Sequence, residues 1–153
     1  MTERRVMPND IMLGGVRDLL AEGHSVVILT KGVSMLPFIT GNKDSVLLEK
    51  RVPVKVGDIA LAEVSEGRYV LHRVIGAGED GVTLRGDGNW RGIEHCRPCD
   101  IAGVVKEIQH PDGSVTDPSS ARQMRRWRRW KAIPRVVRRY YLAIYRRIKH
   151  TTI

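Results

Sequence analysis

Between Val26 and Ile108 the chain breaks into short apolar runs separated by glycine-bearing turn signals such as Glu66-Gly67 and Asp80-Gly81. This texture constrains the fold more than any other feature, because runs this short alternate and turn where a helix would need sustained periodicity. Strands are expected at about 25 to 30, 45 to 49, 58 to 64, 68 to 76, 81 to 85 and 100 to 108. Short strands in regular succession argue for a mainly β body. One short helix precedes them. Ile11, Leu13, Val16, Leu19 and Leu20 recur near one helical face over residues 10 to 22, with Asn9 or Asp10 as N-cap and Gly23 as a stop. Within it, Gly14 and Gly15 each cost about 1 kcal/mol relative to alanine.

The charge is divided along the chain. All 17 acidic residues lie before residue 118, and residues 1 to 121 hold 14 Lys or Arg, a formal balance of −3. Residues 122 to 153 hold the other 12 basic residues and no acid. Turn-forming residues from His110-Pro111-Asp112-Gly113 to Asp117-Pro118-Ser119-Ser120 stand between the two regions. The expected organisation is a body over residues 1 to 115 and a linker with a basic helical tail over 116 to 153. In the tail, Trp127, Trp130, Ile133, Val137, Tyr140 or Tyr141, Ile144 and Ile148 recur at helical steps, and Pro134 should end or kink the helix. Three readings compete for this tail. An anionic membrane surface suits its arginines and boundary aromatics best, packing on the body or a partner protein comes next, and nucleic acid third.

No stretch approaches the roughly 18 to 20 apolar residues of a membrane-spanning helix, and residues 1 to 25 lack the apolar centre of a secretory signal. A cytoplasmic protein is expected, either free or peripheral at the inner face of the membrane. Cys96-Arg97-Pro98-Cys99 with adjacent His95 supplies too few well-placed ligands for a structural zinc site and lacks a βαβ redox context. It reads as a turn before the last strand, and neither metal nor cofactor is expected.

Three short frames carry the chemistry. Ser34 follows an apolar run and a glycine in Gly32-Val33-Ser34-Met35-Leu36-Pro37, where a strand would end and a turn expose the hydroxyl. Pro37 restrains the exit. His72 lies in the alternating stretch Tyr69 to Ile75, on the face shared with Val70 and Val74. Alone, such a histidine is usually just a satisfied strand residue. Asp87 occupies a Gly86-Asp87-Gly88-Asn89 turn, where aspartate is ordinarily structural. A serine hydroxyl needs a base within reach to take its proton, and an imidazole needs an acceptor on its far nitrogen.

Taken in order, Ser34-Met35-Leu36-Pro37, Gly57-Asp58-Ile59, His72-Arg73-Val74 and Gly86-Asp87-Gly88-Asn89 resemble the motifs of the signal peptidase I and LexA-type serine peptidase superfamily, specifically its histidine-containing archaeal and endoplasmic-reticulum branch. The resemblance covers roughly residues 25 to 108. It implies a signal-peptidase-like β fold with Ser34 as nucleophile, His72 as general base and Asp87 as the carboxylate that orients the ring. It also places Gly32, Met35 and Pro37 at the oxyanion and substrate side, with Gly32 where relatives often carry a serine. Asp58 is read as structural. Glu94 stands in the region where eukaryotic-type relatives carry a second acid. The function implied is a serine endopeptidase that cleaves a leader or precursor peptide. The alternative is a catalytically silent module on the same fold, whose tail holds nucleic acid or an anionic membrane.

Overall fold

The computed structural model describes the backbone of residues 2–6, 10–89 and 92–151, and side chains from 13 to 147 apart from 90 and 91. The elements run β1 (Thr2–Val6), α1 (Asp10–Ala21), β2 (Ser25–Leu29), β3 (Ser45–Glu49), β4 (Ile59–Ser65), β5 (Arg68–Ala77), β6 (Val82–Arg85), β7 (Glu94–Cys96), β8 (Ile101–Gln109), β9 (Val115–Thr116), α2 (Ala121–Ala132) and α3 (Arg135–Thr151). The fold is mainly β. One sheet has the order β1-β2-β3-β8-β4-β5-β6-β7, with β9 added to β8. Every neighbouring pair is antiparallel except β1 with β2.

Four register shifts, at Leu47/Leu48, Leu61/Ala62, Glu63/Ser65 and Val74/Gly76, bend this sheet. A bulge adds a residue to one strand and sharpens its twist. The result is a curled half-barrel. Its main core joins Val26, Ile28, Val46, Leu48, Ile59, Leu61, Val105 and Ile108 to Val16 and Leu20 of α1. Burial of those two helix side chains, about 1.5–3 kcal/mol each, offsets the cost of Gly14 and Gly15. Gly103 makes room for the helix, since a Cβ there would lie 2.9 Å from Leu20 Cδ1.

The six expected strands and the first helix are all present. Asn9, one of the two proposed caps, lies outside the described residues. β1, β7 and β9 were not expected, and β9 falls inside the segment expected to be a linker. It pairs with β8 through Ile108 and Thr116. His110 fastens this hairpin inward, with Nδ1 2.9 Å from Asp44 Oδ1 and Nε2 2.7 Å from Thr116 Oγ1. Asp44 is itself buried and its Oδ2 accepts the N–H of Thr40 at 2.8 Å.

The tail docks on the body. Ser120 caps α2 by accepting the N–H of Gln123. Trp127, Trp130 and Leu142 are buried in one cluster with Leu36 and Phe38, which follow Ser34 in the chain. Gly57, at φ 101°, lies directly under Met124 of α2, where a Cβ would collide with the methionine methyl. The break expected at Pro134 falls between α2 and α3. Among the described residues, no helix is long and apolar enough to cross a membrane.

Candidate active site

Ser34 sits in the loop that leaves β2, and that loop is closed at its base. The Thr30 N–H donates to Asp44 O at 3.0 Å, and the Asn42 N–H donates to Thr30 O at 2.7 Å. Gly32 adopts φ 81°, a left-handed conformation that favours glycine. Its backbone touches Gly41 so closely that any Cβ on Gly41 would overlap it. Met35, Leu36, Phe38 and Ile39 are buried beneath the loop. The hydroxyl is thereby held on a rigid support, which a nucleophile requires.

The turn Gly86-Asp87-Gly88-Asn89 packs directly against this loop. The Gly88 N–H donates to Ser34 O at 2.8 Å. A Cβ on Gly86 would strike Ser34 O, and one on Gly88 would lie 2.8 Å from Val33 O. Both glycines are needed for close approach of two backbones. The Asp87 N–H lies 3.5 Å from Met35 Sδ, a further link between the two loops.

His72 on β5 faces Ser34 across a small gap, with Nε2 3.2 Å from Ser34 Oγ. At 7% exposure the ring is largely removed from water, and this burial lowers its pKa from the ordinary imidazole value. The ring is therefore neutral at pH 7 and able to accept the serine proton. Its Nδ1 is buried and has no hydrogen-bond partner among the described residues.

Asp87 does not supply that partner, contrary to the expectation from the motif order. Its carboxylate is taken by Arg73, whose NH2 lies 2.7 Å from Oδ2 and whose Nε lies 3.2 Å from the same oxygen. Arg73 and Asp87 are 2% and 9% exposed. Arg73 also donates to Gly57 O at 3.0 Å, and its guanidinium lies 5.1 Å from the ring centres of both Phe38 and Trp127. Burial pushes the Asp87 carboxyl above its ordinary range, and the arginine beside it pulls the other way. A carboxylate so buried needs an adjacent cation more than an imidazole does, and the arginine next to His72 in the chain provides it. Trp130 Nε1 donates to Asp87 O at 2.8 Å, so α2 secures the same turn.

A cleft of about 250 Å³ opens beside the serine and histidine. The exit of β2 (28 to 32) forms one wall and residues 69 to 72 of β5 the other, while Leu13, Met35, Ile39 and Leu61 make it apolar. Of the expected site residues, Ser34, His72, Gly32 and Met35 line this cleft. Pro37 is buried in the turn below and does not line it. Asp58 is structural as expected, accepting the Lys55 N–H at 2.9 Å and pairing with Arg51 at 2.9 Å. Glu94 pairs with Arg68 at 3.0 Å. Cys96 ends β7 and a 3-10 turn over Pro98–Asp100 follows, as the turn reading required. Burial, then Asp100 and Cys99, push the Cys96 thiol up to about 11, so it carries no thiolate at neutral pH.

The residue missed from sequence is Arg73. Its signal was its adjacency to His72, since neighbours on a strand point to opposite faces and an arginine facing inward needs a buried acid. No protein-family model matches the chain, and no curated protein matches it.

Proposed function

We propose that the chain is a serine endopeptidase that cuts a leader or precursor peptide, with Ser34 and His72 as its catalytic pair. The observation that carries this reading is the 3.2 Å approach of Ser34 Oγ to His72 Nε2 at the wall of an apolar cleft. The four motifs that resemble the signal peptidase superfamily support it independently. A cytoplasmic setting goes with the two free cysteines.

In the proposed reaction a substrate segment lies extended between the two walls, with a small apolar side chain in the cleft. His72 Nε2 takes the Ser34 proton as Oγ attacks the carbonyl carbon. The negative charge that develops on the carbonyl oxygen is met by the Ser34 backbone N–H, since Gly32 offers no hydroxyl. The imidazolium then protonates the departing amine, and a water activated by the same ring releases the acyl group. Arg73 and Asp87 hold the nucleophile loop against β5 and take no part in proton transfer.

The test is cleavage of a diverse peptide library followed by mass spectrometry, with wild type beside Ser34→Ala. Products from the wild type alone support a peptidase and reveal the bond preference. A second reading, a silent binding module, is favoured by the engagement of Asp87 with Arg73 and by the unpartnered His72 Nδ1. Absence of products from both chains would support it.

A further inference from the structure

The helix α3 carries apolar side chains on its outer side as well as on its inner side. Its inner side places Leu142, at 3% exposure, in the cluster with Trp127 and Trp130, and Arg138 and Tyr145 are also half-covered. Its outer side carries Val136, Val137, Tyr140 and Ile144, between 53% and 69% exposed. At 100° per residue these four fall within one arc, roughly opposite Leu142. Tyr141, edge-on to Trp130 and stacked on Tyr145, borders the same arc. Arg139 and Arg146 lie between its other edge and the Leu142 side, and exposed Arg147 falls within the arc. A helix with both faces apolar has a second surface to cover.

We propose that this outer face docks on the surface of an anionic membrane. Three observations select that occupant. Residues 122 to 153 carry 12 Lys or Arg and no acid, so the surroundings of the apolar arc attract a negatively charged surface. A second copy would bring the same positive charge against itself. Nucleic acid would engage the arginines and leave valine, isoleucine and tyrosine in water, whereas the headgroup boundary accepts both kinds of side chain at once. The proposal stands whether or not the serine is catalytic.

The experiment is flotation of the full chain with vesicles of phosphatidylcholine, alone or mixed with phosphatidylglycerol, at low salt. The chain should float with the mixed vesicles and remain behind with pure phosphatidylcholine. Tyr140→Ser with Ile144→Ser should weaken partitioning about tenfold or more, and Arg139→Gln with Arg147→Gln by about 30-fold. Val137→Ser provides an independent substitution on the same arc, and an unchanged unfolding midpoint shows that each variant keeps its fold. Failure to float with anionic vesicles overturns the proposal, as does flotation that the Tyr140/Ile144 variant retains in full. Binding of a single-stranded RNA that displaces the chain from vesicles, equally strong in that variant, would assign the arginines to nucleic acid instead.

Discussion

Three hydroxyl–imidazole pairs occur among the described residues; Thr83 with His95 is a long, exposed contact of 3.4 Å, and the other two differ in an instructive way. At His110 both ring nitrogens are engaged, one by Asp44 at 2.9 Å and the other by the Thr116 hydroxyl at 2.7 Å. At His72 one nitrogen approaches Ser34 at 3.2 Å and the other has no partner among the described residues. Hydrogen-bond geometry alone would rank His110 as the catalytic centre. The cleft reverses that ranking, because its walls include Ser34 and His72 but neither His110 nor Thr116. A satisfied acid–imidazole–hydroxyl chain between a loop and a two-residue edge strand is a fastening. The pair beside the apolar cleft is the one that a bound substrate could reach.

The comparison is tested most severely at the serine. Ser34→Ala should lower peptide cleavage on the order of 10⁴-fold or more while leaving the unfolding curve unchanged. A loss of only a few-fold would break the distinction between the two sites. Next in size is Arg73→Met, which leaves Asp87 buried without its cation and should cost about 3–5 kcal/mol in urea unfolding. A cost under about 1 kcal/mol would show that burial of Asp87 does not depend on the Arg73 cation.

The pH dependence is a finer probe. Burial lowers the His72 pKa, so the base is neutral through the region near 6.5 where an exposed imidazole would already be charging. Cleavage should stay level as pH falls to about 6.5 and then decline roughly tenfold per unit below the lowered value. The unfolded chain binds the proton before the folded one does, so His72 also makes stability decline as pH drops below about 6.5. A rate that halves well above pH 6.5 would contradict the burial argument. The smallest effect expected is that of Trp130→Phe, which removes the donor to Asp87 O and should lower stability by about 1 kcal/mol. No change in the unfolding midpoint would mean that α2 does not secure the Asp87 turn.

Much of the β body was legible because its strands are apolar and its turns carry glycine. β1 was not, since Thr2–Val6 reads Thr-Glu-Arg-Arg-Val and forms only by adding to the exposed edge of β2. β7 and β9 span three and two residues, too short for any period to show. At the site, Ser34 and His72 were legible from local frames. The partner of Asp87 was not, because choosing between an arginine and a histidine adjacent in sequence requires knowing which side of β5 faces the Gly86–Asn89 turn. The aromatic stripe of the tail was visible too, but periodicity does not say which face docks. Trp127 and Trp130 turned inward, and Tyr140 and Ile144 turned outward.

The most direct measurement is a side-by-side rate of peptide cleavage for wild type, His72→Ala and His110→Ala, each corrected for its folded fraction. The account predicts that His72→Ala loses essentially all activity, whereas His110→Ala retains the wild-type rate per folded molecule and loses only stability. Activity that survives in His72→Ala, or disappears in fully folded His110→Ala, would contradict it.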